Sequence, residues 1–297
     1  MGNWITRSIR GGAVLALAAH ILLGEARAEN IDPNTAELIK MLRTAGLCRP
    51  NAECAPSPEA VKMFQAAKAT EQWEPVPPNV TPGANAEAPP SDAIILFDGK
   101  NLDQWVNAKD HMPARWPVHD GTLTVDKALG NIETRQHFRD YQLHLEWQVP
   151  KNITGEGQLR GNSGLFLAST GPGDAGYEIQ ILDSWKNPTY VNGQAGSIYK
   201  QTAPLANASR EPGKWQSYDI IWTAPVFDSD GSLKSPAYVT VLHNGVLVQN
   251  HTPLAGETVF VGRPTYHAYD RAAVKLQAHP DLSAPIQFRN IWLRKLD

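Results

Sequence analysis

The sequence predicts an all-β domain, a β-sandwich or jelly roll, preceded by a short α-helical hairpin. Three observations lead there. From Asp92 to Asp297 strand-like runs follow one another with turn residues at short intervals and no long helical stripe. Within that span Asp120-Gly121 and Asn244-Gly245 are the dipeptides that accept the positive backbone angles of a tight two-residue hairpin. Before Asp92 the pattern is different: apolar residues recur at helical spacing and then give way to a proline-rich stretch.

Residues 1–28 have the three parts of a secretory signal peptide: Arg7 and Arg10, an apolar stretch from Gly11 to about Gly24, and Ala26-Arg27-Ala28 as the small-x-small cleavage site. The apolar stretch is shorter than the ~18–20 residues that span a bilayer. The sequence therefore predicts export, to the periplasm or the extracellular space, with no membrane span. Without residues 1–28, which carry three arginines and one glutamate, the formal charge of −3 becomes −5. That charge, and the lack of a basic stripe with interleaved aromatics, argue against nucleic acid as a partner.

Residues 29–73 read as two helices. Asp32-Pro33 supplies an N-cap and first-turn pair, Leu38, Ile39, Leu42 and Ala45 form the stripe, and Gly46 ends it. Ser57-Pro58 starts the second helix in the same way, with Val61, Phe64 and Ala67 on its buried side. Cys48 and Cys54 are the only cysteines, and in an exported chain a pair six positions apart predicts a local disulfide. Nothing in the sequence names a partner for this hairpin. Residues 74–91 hold Pro75, Pro77, Pro78, Pro82, Pro89 and Pro90, the composition of a stiff linker.

In residues 92–297 the predicted strands are 93–97, 122–125, 141–149, 163–168, 177–182, 216–223, 237–249, 272–279 and 286–296. Alternation assigns their faces. Leu143, Leu145, Trp147 and Val149 oppose His144, Glu146 and Gln148; Tyr177, Ile179 and Ile181 oppose Glu178 and Gln180; Val274, Leu276 and Ala278 oppose Lys275, Gln277 and His279. Three strands thus offer carboxylates, imidazoles and amides, groups that hydrogen-bond sugar hydroxyls or bind a metal. A plain solvated sheet face is the alternative. Tryptophans and tyrosines at strand ends and in loops (Trp105, Trp116, Trp185, Tyr190, Tyr199, Trp215) supply rings that either pack or stack on a sugar. In the last strand Ile286 and Phe288 set one phase and Ile291 and Leu293 the other, which predicts a bulge near Arg289-Asn290. No nucleophilic-serine elbow, phosphate loop or HExxH helix is present.

Six segments in order, Ile95–Trp105, Trp116–Leu123, Gly161-Asn-Ser-Gly164, Tyr177-Glu-Ile-Gln180, Gly196-Ser-Ile-Tyr199 and Phe288-Arg-Asn-Ile-Trp292, resemble the motifs of the 3-keto-disaccharide hydrolase family, also described as 3-keto-glucoside 1,2-lyase/3-keto-2-hydroxy-glucal hydratase domains. The resemblance implies a concanavalin A-like jelly roll and glycosides oxidised at C3 as substrates. It implies net hydrolysis by elimination and hydration, since the ketone acidifies the C2 proton. On this reading Glu178 or His279 is the base, and Glu146 with His144 or His279 holds either a divalent cation or the substrate. Asn162, Gln180, Lys200 and Asp183 position hydroxyls, and Arg289 serves as a structural ion partner or a ligand for an anion or carbonyl. The chain departs from the family at Leu276-Gln-Ala-His-Pro280, where Leu-Gln-Asp-His-Gly is common, so the aspartate that orients the histidine is missing at Ala278. The same jelly roll as a non-catalytic, lectin-like sugar-binding module is the alternative function.

Overall fold

Each helix start is held by its own cap. In the computed structural model, which describes residues 32–48 and 54–297, the Asp32 carboxylate accepts from the Asn34 and Thr35 amides and opens α1 (Pro33–Thr44). The Ser57 hydroxyl accepts from the Ala60 amide and opens α2 (Pro58–Lys68). These oxygens satisfy amides that have no partner within the helix, and proline at the first position loses nothing there. Leu38, Leu42, Cys54 and Phe64 bury against one another, while Ala45 and Ala67, expected on the stripe, are exposed. Cys48 and Cys54 form a disulfide, and Lys68 reaches Glu37 at 3.1 Å. A core this small stabilises little without the cross-link. The predicted signal peptide lies outside the described residues. No helix among the described residues is long and apolar enough to cross a membrane.

The chain divides into a unit ending at Pro78 and a second from Asn79 to Asp297. The stretch expected to be linker is therefore split. Its second part belongs to the sandwich, because the Glu87 carbonyl accepts from Trp292 Nε1 at 3.0 Å and from Asn290 Nδ2 at 2.9 Å.

The second unit is an antiparallel β-sandwich of the jelly-roll type. Its strands are β1 (Ile94–Phe97), β2 (Trp105–Asn107), β3 (Val118–His119), β4 (Thr122–Thr124), β5 (Ile132–Thr134), β6 (Tyr141–Gln148), β7 (Ser163–Ser169), β8 (Gly176–Ile181), β9 (Trp215–Thr223), β10 (Val226–Phe227), β11 (Leu233–Ser235), β12 (Tyr238–His243), β13 (Val246–Pro253), β14 (Ala273–Leu276) and β15 (Gln287–Lys295). One sheet runs β13-β12-β9-β6-β15-β4-β3, with β1 also paired to β15; the facing sheet runs β2-β5-β14-β7-β8. Asp120-Gly121 and Asn244-Gly245 turn the β3–β4 and β12–β13 hairpins with positive φ at all four residues. The expected bulge is present: the β15 register shifts between Arg289 and Trp292, and Asn290 has φ 46°.

The core lies between the sheets. Leu143, Leu145, Trp147, Tyr218, Ile220 and Trp222 from the larger sheet pack on Leu165, Leu167, Tyr177, Ile179, Val274 and Leu276 from the smaller. Two tyrosines cross the gap to backbone carbonyls, Tyr218 to Gln180 at 2.8 Å and Tyr141 to Leu167 at 2.5 Å. Each strand's other residues therefore face away from the core, and the two sheets present two separate outward faces.

Candidate active site

The outward face of the smaller sheet carries a buried carboxyl beside a row of amides. Register sets one row as Glu133 on β5, Lys275 on β14, Phe166 on β7 and Glu178 on β8. The next holds Gly164 beside Gln180, with the Gln277 backbone N–H donating to the Gly164 carbonyl at 2.9 Å. The segment around Ile198 extends the edge of β8 through an antiparallel bridge to Ile179. The Tyr199 amide donates to the Glu178 carbonyl and the Gln180 amide to Ser197. Alternation about the core residue Ile198 thus sets Tyr199 beside Glu178 and Ser197 beside Gln180.

Glu178 is buried, and its carboxyl is pushed up to about 8 by that burial and by the nearby charge of Asp174. Its backbone amide is tied to Thr258 Oγ1 at 3.0 Å. Gly164 makes the space for its carboxyl, because a Cβ there would lie 2.4 Å from Glu178 Oε1. Around it Gln180 Oε1, Gln277 Oε1, Asn162 Oδ1 and Ser197 Oγ are buried with no hydrogen-bond partner among the described residues. Native structures leave few such groups unpaired, and a cluster of them on one face suits a ligand that brings hydroxyls. The amide nitrogens of Gln180 and Asn162 are already in use: Gln180 Nε2 donates to Gln158 Oε1 at 3.1 Å and Asn162 Nδ2 to the Gln158 carbonyl at 2.8 Å.

His279 follows Gln277 by two positions. Its Nδ1 lies 2.9 Å from Asp281 Oδ2, and its side chain keeps 26% exposure. The Asp281 carboxylate is fully buried and also takes Lys127 Nζ at 3.1 Å and the Ser283 amide at 2.7 Å. Burial works against its charge, but the bonds from His279, Ser283 and Lys127 prevail and hold it at about 2. The aspartate missing at Ala278 is thus replaced by Asp281, three positions later.

Glu146, His144 and Arg289 are not part of this face. They lie outward on the larger sheet, on the opposite side of the sandwich, so the expected convergence of Glu146 with Glu178 and His279 does not occur. Arg289 Nε and Nη2 reach Glu146 Oε2 at 2.7 and 2.6 Å, and Asn290 Nδ2 donates to Oε1 at 2.8 Å. His144 Nδ1 is 2.7 Å from Asp219, its ring stacks on Trp292, and the Arg289 guanidinium lies 4.1 Å from the centroid of the Trp215 ring. Burial opposes the charge of both titrating groups. Even so, Asp219 and Glu146 raise His144 to about 9, while His144, Asn290 and Arg289 lower Glu146 to about 2. Both Glu146 oxygens are engaged, so the cluster reads as a closed ion network rather than a cation cage. A mainly apolar cleft of about 520 Å³, lined by Ile95, Phe97, Arg289, Asn290 and Trp292, lies beside it.

Asp183 is structural as well: its carboxylate takes Arg160 Nε at 2.7 Å and the Trp185 amide at 3.1 Å. Lys200 stands at the rim and donates to the Phe260 carbonyl at 2.7 Å. Among the described residues no group of three or more His, Cys, Asp or Glu side chains is placed to hold a metal ion. Three residues escaped the sequence: Gln158 and Ser197 as polar partners of the floor, and Asp281 as the histidine's carboxylate; Gln277 was placed on its face but given no role. Those three sit in loops, where period carries no information.

The domain family described as 3-keto-alpha-glucoside-1,2-lyase-like matches residues 92–294. The chain belongs to this family. The match takes in both sheets and every residue of the Glu178 face. A crystal structure from Parabacteroides distasonis ATCC 8503, carrying the provisional name of glycosyl hydrolase, is 50% identical with TM-score 0.72 and covers 84% of this chain and all of its own. Two further crystal structures from the same organism, with the same provisional name, are 18% and 23% identical with TM-scores of 0.49 and 0.47. Each covers 69% of this chain, with 94% and 99% of their own lengths, and they carry no argument at that distance. No curated protein matches. As a member of the 3-keto-alpha-glucoside-1,2-lyase-like family, with a relative at half identity provisionally named a glycosyl hydrolase, the chain is a carbohydrate-active, glycoside-cleaving enzyme.

Proposed function

We propose that this protein is exported and cleaves 3-keto-glycosides by elimination and hydration. The observation that carries the reading is the Glu178 carboxyl, raised to about 8 among unpaired amide oxygens. A base that removes a carbon-bound proton works best with a pKa near the working pH, and burial is the means of raising a carboxyl to it. In the proposed step ionised Glu178 takes the C2 proton, which the C3 ketone has acidified. The C2–H electron pair forms the C1–C2 double bond, and the C1–O bond breaks with its pair going to the leaving oxygen. Water then adds across the double bond, its hydroxyl to C1 and a proton to C2, and releases the 3-keto sugar. His279, aligned by Asp281, is assigned to proton delivery at the leaving group and to activation of the water. Asn162, Gln180, Gln277 and Ser197 receive the sugar hydroxyls. The paired carboxylates of an ordinary glycosidase are not required. Export rests on the composition of residues 1–28.

The test is incubation of the protein with a 3-keto-glucoside in deuterated water. Deuterium at C2 of the released sugar, together with aglycone release, is the expected result. Release without deuterium at C2 would overturn the elimination route. Sugar binding with no turnover would favour the lectin-like module.

A further inference from the structure

The rim above Glu178 differs in chemistry from the floor. Tyr199, beside Glu178 in register, has its hydroxyl 2.8 Å from that of Tyr190. Lys200, with φ 57°, places Nζ 3.9 Å from the centroid of the Phe260 ring and 5.9 and 6.0 Å from those of Tyr190 and Tyr199. The same Nζ donates to the Phe260 carbonyl at 2.7 Å, so one lysine ties two loops together at the sheet edge. Despite that anchoring, Phe260 is 73% exposed and its neighbour Val261 82%. An aromatic ring held by a cation and open to solvent is a preformed stacking surface.

We propose that Phe260, Tyr190 and Lys200 form a leaving-group subsite that takes an aromatic aglycone. This rests on the function proposed above and assigns the part of the substrate that the floor leaves unassigned. The unpaired oxygens of Gln180, Gln277, Asn162 and Ser197 are acceptors suited to the hydroxyls of the sugar that reacts. Phe260 and Val261 offer no side-chain hydrogen-bonding group, so the hydroxyls of a second sugar would lose water against them with only Lys200 and Tyr190 to replace it. A flat aryl ring loses nothing by that exchange and gains burial. The Lys200 ammonium has two N–H groups beyond the one given to Phe260. They suit the oxygen that departs with the electron pair of the C1–O bond, and a phenol, with an ordinary pKa near 10, departs with less need of a full proton than an alcohol.

The test compares wild type and Phe260→Ala on phenyl and methyl 3-keto-glucosides, together with calorimetric binding of unoxidised phenyl and methyl glucosides. The expected result is a KM for the phenyl substrate raised about tenfold by Phe260→Ala, as fits loss of one stacked ring, and kcat/KM for the methyl substrate within about twofold. Wild type is expected to bind phenyl glucoside more tightly than methyl glucoside, and Phe260→Ala to lose the difference. Equal effects on both substrates, or no phenyl preference in binding, overturn the subsite. Absence of turnover on both keto substrates overturns the catalytic reading instead, and the binding comparison then decides the subsite alone.

Discussion

His279 and Asp281 form a hydrogen-bonded pair in which Nδ1 faces a buried carboxylate 2.9 Å away. The carboxylate is fixed from behind by Lys127 and Ser283, which holds the ring by its Nδ1 side and leaves Nε2 for the proton transfers proposed above.

Asp281→Asn keeps the shape but removes the charge that fixes this orientation. The expected outcome is a fall in kcat of about 10²-fold with KM little changed, and a shifted pH profile. Steady-state kinetics from pH 5 to 9 check it; an unchanged profile would make Asp281 purely structural.

Activity is expected to rise with pH through about 8, because the base must be ionised and Glu178 holds its proton up to there. Glu178→Gln is expected to lower kcat by about 10³-fold with the fold retained. A pH–rate profile with a midpoint near 4 to 5 would remove Glu178 as the base.

The same shift sets a stability trend of opposite sign. The folded-state pKa of Glu178 lies above its unfolded value, so the contribution to stability is full below about 4.5 and is lost as pH rises through about 8. Glu178→Gln removes that loss. Thermal melts should therefore show the variant gaining on wild type as pH rises from about 4.5 to about 8 and levelling off above that, by an amount on the order of a few kcal/mol.

Gly164→Ala places a methyl where the Glu178 carboxyl sits, 2.4 Å from Oε1. The obstructing atom is the far end of a side chain, so the fold can yield while the base moves. Turnover is expected to fall at least tenfold, with stability reduced by only about 1–2 kcal/mol. Denaturant titration beside kinetics separates the two effects.

Glu146→Gln probes the other face. It removes the charge partner of Arg289 and His144, so the expected loss is roughly 2 kcal/mol, discounted because Arg289 is partly exposed, with kcat within about twofold. The loss should shrink above pH 9, where His144 gives up its proton in wild type. A large fall in kcat without loss of stability would return Glu146 to the catalytic site.

The sequence by itself determined what repeats or caps. Strand alternation separated Glu178 and Gln180 from Tyr177 and Ile179; Asp120-Gly121 and Asn244-Gly245 marked both hairpins; Asp32 and Ser57 opened both helices; and the phase change around Arg289-Asn290 announced the bulge. These are local consequences of backbone geometry, and a few neighbouring residues suffice to state them. Alternation, however, says only that a residue faces away from the core, and a sandwich has two such faces. That is why Glu146 and Glu178 looked like partners although the hydrophobic core lies between them. Only the tertiary structure decided that the smaller sheet holds the candidate site and that Glu146 answers to Arg289 and Asn290. It also showed that Asp281 stands against His279 and that Gln158 and Ser197 border the Glu178 face, contacts set by where loops fold onto the sheet. Which face a strand joins is set by pairings such as that of β6 with β15, which brings Glu146 to Arg289 from 143 positions away, and no local pattern carries that.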